Sequence, residues 1–293
     1  MNGVFYYLKC LGVGIALLVA DSTFGQWIDV RWHNEQSDTT RITEILKSAA
    51  NMRFRVPGDA VAWSGSMFMG TPYKGGTLEG DTERLTVNLD SVDCTTFVDI
   101  ALALAYTIGE NRQNWQDFIY NLMRMRYRSG NVDGYSSRLH YISDWAMDNI
   151  HRGNIVDVTG LIPMARETVR SIDFMTTHRD RYAALNNPEE YSRMKEVENS
   201  YRNHRFMYVR TIDLGNKKLM QYLRDGDIVA FVPGVKNLDV SHLGILTKDD
   251  KGQLHVMHAS QKEGAVVVSK LPLVDFAKRN PRWIGARFFR LKE

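Results

Sequence analysis

An α+β fold is predicted by the order in which two textures appear along the 293 residues. Helix-period amphipathic segments fill the first half, and from about residue 216 they give way to short runs of β-branched and aromatic residues divided by turn signals. Helices first and strands later is not the alternation of βαβ units, so an antiparallel sheet is expected. No internal repeat and no Pro/Gly/Ser-rich linker divides the chain, which points to one domain.

Residues 1–25 read as a removable export signal. Lys9 precedes the apolar run LGVGIALLVA, which is too short to span a bilayer comfortably. A membrane anchor is the alternative. Cleavage near Ala20 or Gly25 would remove Cys10 and leave Cys94 as the single cysteine of a mature chain over 26–293. In an oxidising compartment that thiol has no partner for an internal disulfide, so its presence needs another reason. The composition, 44% hydrophobic and 24% charged, is that of an ordinary globular protein, and a net charge of +3 is too small to imply a nucleic-acid partner. A periplasmic or secreted monomer without stable membrane insertion is expected.

The segment SDTTRITEILKSAANM reads as a capped helix, with Ser37 or Asp38 as cap and Ile42, Ile45, Leu46 and Ala49 on one face. MGTPYKGGTLEG is turn-rich and reads as a loop. The next helix carries Cys94 in its first turn after the cap residues of LDSVDC, is apolar nearly all round, and stops at Gly109. NWQDFIYNLMRMRY gives a fourth segment with Trp115, Phe118, Leu122 and Met125 in the core stripe. A helical insertion is expected over about 130–216, including a charged, solvated helix pair in RDRYAALNNPEEYSRMKEVENSYRNHR. The runs DGDIVAFVP, VSHLGILTK, QLHVMHAS, GAVVVSKL and WIGARFFRL then supply the strands.

Cys94 alone is ambiguous. A helix N-terminus stabilises a thiolate by only ~0.3–1 kcal/mol, less than about one pKa unit, and the Asp93 carboxylate opposes it. Activation therefore requires a cationic or basic partner. Strand parity singles out two of the eight histidines: His242, Gly244 and Leu246 share one face, as do Leu254, Val256 and His258. Parity sends His255 the other way, so His255-x-x-His258 is not a metal-ligand pair, and no metal or cofactor is expected. A thiol at a helix start with two histidines on successive strands forms a nucleophile, base and orienter set. Arg138 lies in the loop DGYSSRLHYISDW, where it would be either solvated or a bidentate fork for a substrate carboxylate.

The order GTPYKGG, DCTTFV, RDGDIVAF, SHLGIL, MHAS resembles the NlpC-type cell-wall hydrolases, papain-like cysteine enzymes that cut peptidoglycan. The long spacer before Asp93, CTT in place of Cys-Ser-Gly, the long stretch between Cys94 and His242 and the NVDGYSSRLHYISDW segment resemble the N-acetylmuramoyl-L-alanine amidase-like branch. The resemblance implies a papain-like α+β domain with the nucleophile helix packed on the sheet. It further implies Cys94 as nucleophile, His242 as base holding the thiol as an ion pair, and His258 as orienter. Tyr73, Asp93, Tyr135, Arg138 and Ser241 would contact muropeptides, and the bond cut would join the lactyl group of muramic acid to L-alanine. Cleavage after D-Glu and non-catalytic binding of wall fragments are the alternatives.

Overall fold

The protein is described here from a computed structural model covering residues 28–292, so the proposed leader and Cys10 lie outside the described residues. Strand β1 (Val30–Trp32) pairs in parallel with β2 (Leu85–Val87). Between them lie α1 (Glu35–Ala49) and α2 (Pro57–Ser66). The cap of α1 is Asn34, whose side chain accepts the Ser37 N–H at 3.1 Å, and not Ser37 or Asp38 as expected. Asp38 is buried because its two oxygens accept the backbone N–H groups of Asn34 and Leu89, tying the helix start to the segment after β2. The stripe Ile42, Ile45, Leu46 and Ala49 is buried as its spacing required.

Helices α3 (Cys94–Gly109) and α4 (Trp115–Arg126) pack together, with Phe118, Leu122 and Met125 of α4 fully buried. A buried ion pair fixes their register: Arg126 Nε donates to Asp99 at 3.0 Å and Nη1 to the Thr86 carbonyl at 2.7 Å. Paired and hydrogen-bonded, the guanidinium joins α4 to both α3 and β2.

Downstream come α5 (Ile142–His151), β3 (Ile155–Asp157), β4 (Arg166–Arg170), α6 (Phe174–Thr177), α7 (Pro188–Ser200) and β5 (His204–Arg210). The C-terminal run is β6 (Ile228–Pro233), β7 (His242–Lys248), β8 (Leu254–Ser260), β9 (Ala265–Val268), α8 (Leu273–Lys278) and β10 (Trp283–Leu291). One antiparallel sheet runs β4-β5-β10-β6-β7-β8-β9, and β3 pairs with the end of β10. The mixed α+β architecture with an antiparallel sheet follows the sequence reading. The region 130–216 does not read as a purely helical insertion, because three of its segments are strands that extend the sheet. Its charged stretch is likewise not a helix pair: short turns lead to the single helix α7, and Leu185 and Met194 join Tyr135, Tyr141 and Ile172 in a small core of their own.

The sheet separates two larger cores. Leu243, Ile245, Met257 and Ala259 face α3 and its neighbours, whereas Phe231, Leu246 and Val256 face α8. The insertion grips the segment that leads into β7. Arg170 Nη1 lies 2.7–2.9 Å from the carbonyl oxygens of Pro233, Val235 and Leu238, and Asn237 donates to Thr177 Oγ1 at 3.1 Å. No helix among the described residues is long and apolar enough to cross a membrane.

Candidate active site

Cys94 is the first residue of α3, and its position is set by a reciprocal cap. The Asp93 Oδ1 accepts the N–H groups of Thr95 and Thr96 at 3.0 and 2.8 Å, while Thr96 Oγ1 accepts the Asp93 N–H at 2.8 Å. Asp93 is thus a structural cap, with Oδ1 committed to the helix start. The Asp93 cap does not take up the Cys94 N–H, which lies instead against its own sulfur. The sulfur has Thr95 Oγ1 at 4.0 Å and the backbone N–H of Leu243 as its polar neighbours.

The turn-rich segment before α3 is held on both sides. Tyr73 forms a bridge with Val92, two residues before Cys94, and its N–H donates to the Gly264 carbonyl at 2.8 Å. Thr71 and Gly70 pair with Val266 in β9. The loop therefore forms a short rib between α3 and the sheet edge. It places the Tyr73 hydroxyl near both Cys94 and Asp93; burial raises its pKa first, and these two groups raise it further.

His242 opens β7 and His258 lies on β8. Their rings meet at 88°, with His242 Nε2 2.9 Å from His258 Nδ1. The parity argument correctly placed both imidazoles on one face. That face is the one bearing Phe231, Phe276 and Trp283, on the side of the sheet away from α3. At the open start of β7, Cys94 Sγ reaches the backbone N–H of Leu243, the residue after His242. Among the described residues no hydrogen bond joins Sγ to the His242 ring.

Gly244 makes the histidine geometry possible. A Cβ there would sit 2.5 Å from Val256 Cγ1, 3.0 Å from the Met257 carbonyl oxygen and 3.3 Å from His258 Cβ. Gly244→Ala is expected to destabilise the protein by about 1–3 kcal/mol through overpacking and to lower activity by displacing His258. Denaturant unfolding and turnover of the same sample measure both, and a fully stable, fully active variant would contradict the close approach.

Burial pushes the Cys94 thiol up to about 11, the Asp93 carboxylate adds to the rise, and the Leu243 N–H and Thr95 hydroxyl oppose it only weakly. Burial lowers His242 to about 3, with His258 contributing, and lowers His258 to about 4 against the pull of Glu263. Burial thus favours the neutral forms of the thiol and of both imidazoles. Desolvation of both groups works against the resting thiolate–imidazolium ion pair that the sequence reading expects.

Three expected substrate contacts are engaged inside the protein. Arg138 is 6% exposed; its guanidinium donates to Glu79 at 2.8 Å, lies 3.3 Å from Glu83 and covers the Tyr135 ring at 4.9 Å. It is neither solvated nor an open fork, and it braces the 74–84 loop. Tyr135 is buried beneath it, against His140. The Ser241 hydroxyl accepts Trp283 Nε1 at 3.1 Å, and the Trp283 ring lies nearly parallel to His242 at 5.7 Å and stacks on Phe231 at 4.1 Å. Sequence reasoning missed Trp283, because nothing local in WIGARFFRL says which ring it will meet. His255 bonds the Ser269 carbonyl at 2.8 Å, on the side opposite His258.

The family profile described as AmiA-like, N-acetylmuramoyl-L-alanine amidase-like matches residues 64–285. The chain is similar to an N-acetylmuramoyl-L-alanine amidase from Bacteroides uniformis, with 38% identity, a TM-score of 0.76, and coverage of 81% of this chain and 99% of that one. A Bacteroides fragilis protein provisionally named a xylanase is 41% identical, with a TM-score of 0.73 over 78% of this chain and all of that one (100%). A Legionella pneumophila protein of family DUF1460 is 21% identical with a TM-score of 0.67, over 88% of this chain and 96% of that one, and shares the fold. No curated protein matches the chain.

Proposed function

The chain belongs to the AmiA-like, N-acetylmuramoyl-L-alanine amidase-like family, and from that premise we propose that it is a papain-like, cysteine-dependent peptidoglycan amidase of the NlpC-type superfamily. The observation that carries this reading is the 2.9 Å bond between His242 and His258 at the β-strand start whose backbone N–H meets Cys94 Sγ. In the proposed reaction His242 Nδ1 removes the thiol proton as sulfur attacks the lactyl carbonyl. His258 accepts the Nε2–H of His242 and fixes its tautomer. The Cys94 N–H and the Tyr73 hydroxyl stabilise the oxyanion. The C–N bond breaks as His242 returns the proton to the departing L-alanine nitrogen. Water, deprotonated by His242, then hydrolyses the muramoyl thioester, leaving a free carboxylate and the thiol. The missing Sγ–imidazole bond is formed when substrate enters, since catalytic contacts are often long in free enzymes.

A glycosidase reading would follow the name of the Bacteroides fragilis relative alone. It needs two carboxyl groups facing across ~5–9.5 Å, whereas the groups gathered here are a thiol and two imidazoles, with Asp93 committed to capping. The D-Glu endopeptidase alternative uses the same residues on a different bond, and the two are separated by product mass. The wild-type protein is expected to release muramic sugar and intact stem peptide from a defined muropeptide. Release of L-Ala-D-Glu would reassign it as an endopeptidase, and retention of uncut muropeptide would reassign it as a binding protein. Action outside the cytoplasm on wall fragments belongs to the same reading, as does removal of residues 1–25.

The neutral pair gives a pH prediction. A general base must be unprotonated, and His242 and His258 stay neutral down to about 3 and 4. The acid limb of kcat/KM is expected well below 6.5, with a broad plateau through neutral pH. An acid limb near 6.5 would restore the ion-pair account. The sign for stability follows: between about 6.5 and the folded values the unfolded chain binds more protons, so stability falls as pH drops through that window.

A further inference from the structure

At the end of α3 away from Cys94, a cavity of about 720 Å³ opens between the ends of α1 and α3, the start of α2 and the last residues of β10. Large apolar side chains line most of it. Leu46, Ala105 and Leu291 lie at its base, each no more than 3% exposed, and Phe54, Tyr106 and Ile108 form half-buried walls. The exposed rim carries Arg53, Arg55, Arg112 and Lys292 against one carboxylate, Glu110. Most of these charges are already engaged. Glu110 lies 4.0 Å from Arg124, Arg55 lies 3.2 Å from Asp59, and Arg112 lies 3.9 Å from Asp117. Arg53 and Lys292 have no acidic partner among the described residues.

We propose that this cavity binds one single-chain anionic amphiphile, a long-chain carboxylate, with its alkyl chain against the apolar base and its head group held at the rim by Arg53 and Lys292. The two halves of the site select the two halves of the ligand. Large apolar side chains gain from covering alkyl surface in proportion to its area, and the two uncommitted cations complement an ionised head group. A small inorganic anion would leave the apolar base uncovered, and the volume lies within the ~300–1,000 Å³ span of small-molecule sites. A peptide would need partners for its backbone amides as well, and the lining has few to give. Its one strand residue, Leu291, is already paired with Ile155. At the end of α3 the carbonyls of Tyr106, Thr107 and Ile108 accept the N–H groups of Glu110, Arg112 and Asn111, and at the end of α1 the Ala49 carbonyl accepts that of Met52. The 16 residues of α3 place the cavity about 24 Å from Cys94 at 1.5 Å per residue. Its ligand is therefore independent of the bond that Cys94 cuts.

The test titrates the full chain with sodium dodecanoate below its micelle-forming concentration, followed by calorimetry and by thermal melting. One saturable site per chain and a raised melting temperature are expected, since a ligand that binds only the folded state stabilises it. Acetate, which has the head group without the chain, should give no binding heat. Dodecyl maltoside, which has the chain without the charge, should bind at least about tenfold more weakly, and so should dodecanoate to the Arg53→Glu, Lys292→Glu double variant. Both substitutions lie at exposed positions, and a ligand-free melt matching that of the parent verifies folding. Equal affinity for the nonionic amphiphile, or equal affinity of the double variant for dodecanoate, would overturn the anionic site. A melting temperature that falls while many equivalents bind would overturn it too, as ordinary detergent action. Binding to phosphatidylglycerol vesicles without any response to monomeric dodecanoate would replace it with a membrane-facing surface.

Discussion

Cys94→Ala is expected to reduce muropeptide turnover by about 10³–10⁶-fold, the range seen when the nucleophile of a hydrolytic triad is deleted, with melting essentially unchanged. The two halves of that expectation rest on different atoms. The covalent step has no substitute nucleophile at the helix start: Thr95 Oγ1 lies 4.0 Å from the sulfur and Asp93 Oδ1 is committed to three donors of the cap. Folding does not depend on the sulfur, because the cap of α3 is built by Asp93 and Thr96, whose bonds leave the Cys94 side chain out. Asp93→Ala is the informative contrast, since losing an N-cap costs about 0.5–2 kcal/mol and would shift the melt. Product release by mass spectrometry and a thermal melt on one preparation read both halves. Residual turnover above about a tenth of wild type would remove the thiol from the mechanism.

What the sequence made legible was whatever depends on local periodicity. The Ile42–Ala49 stripe, the Phe118–Met125 stripe and all five C-terminal strands lie where spacing puts them. Parity alone put His242 and His258 on one face, and the 2.9 Å bond between them realises it. The misreadings share a cause in contacts between distant parts of the chain. Asn34 outcompeted Ser37 and Asp38 for the α1 cap because Asp38 is drawn to Leu89, 51 residues away. Arg138 reads as free in its own loop because its partners, Glu79 and Glu83, arrive from the preceding one. The 130–216 region hid its strands because β4 is mostly charged, as edge strands tend to be, and β5, which it pairs with, joins the sheet only through β10 at the far end of the chain. The push that burial gives toward a neutral thiol and neutral imidazoles was also out of reach, since desolvation is a property of the assembled core and not of any motif.

The second large effect is expected at the histidine pair, and its form matters more than its size. His242→Ala should lower kcat by about 10²–10⁴-fold, the ordinary worth of a positioned general base. His258→Ala should cost less, since His258 touches no reacting atom in the proposed reaction and acts by holding the His242 ring through the Nε2–Nδ1 bond. The ring has other supports. Trp283 lies parallel to it at 5.7 Å, anchored by Ser241, so loss of His258 frees the tautomer more than the position. A positioning residue makes a specific demand on the double variant: with His242 already gone, removing His258 should change kcat by less than about twofold. His258→Asn, which keeps a side-chain acceptor for the Nε2–H, should recover part of the loss, whereas a residue needed only to fill the space beside Phe276 would be rescued better by Leu. Multiplicative losses in the double variant would mean that the two imidazoles act independently, each on the substrate. The 2.9 Å bond would then be a packing contact and not the path by which one histidine sets the proton position of the other.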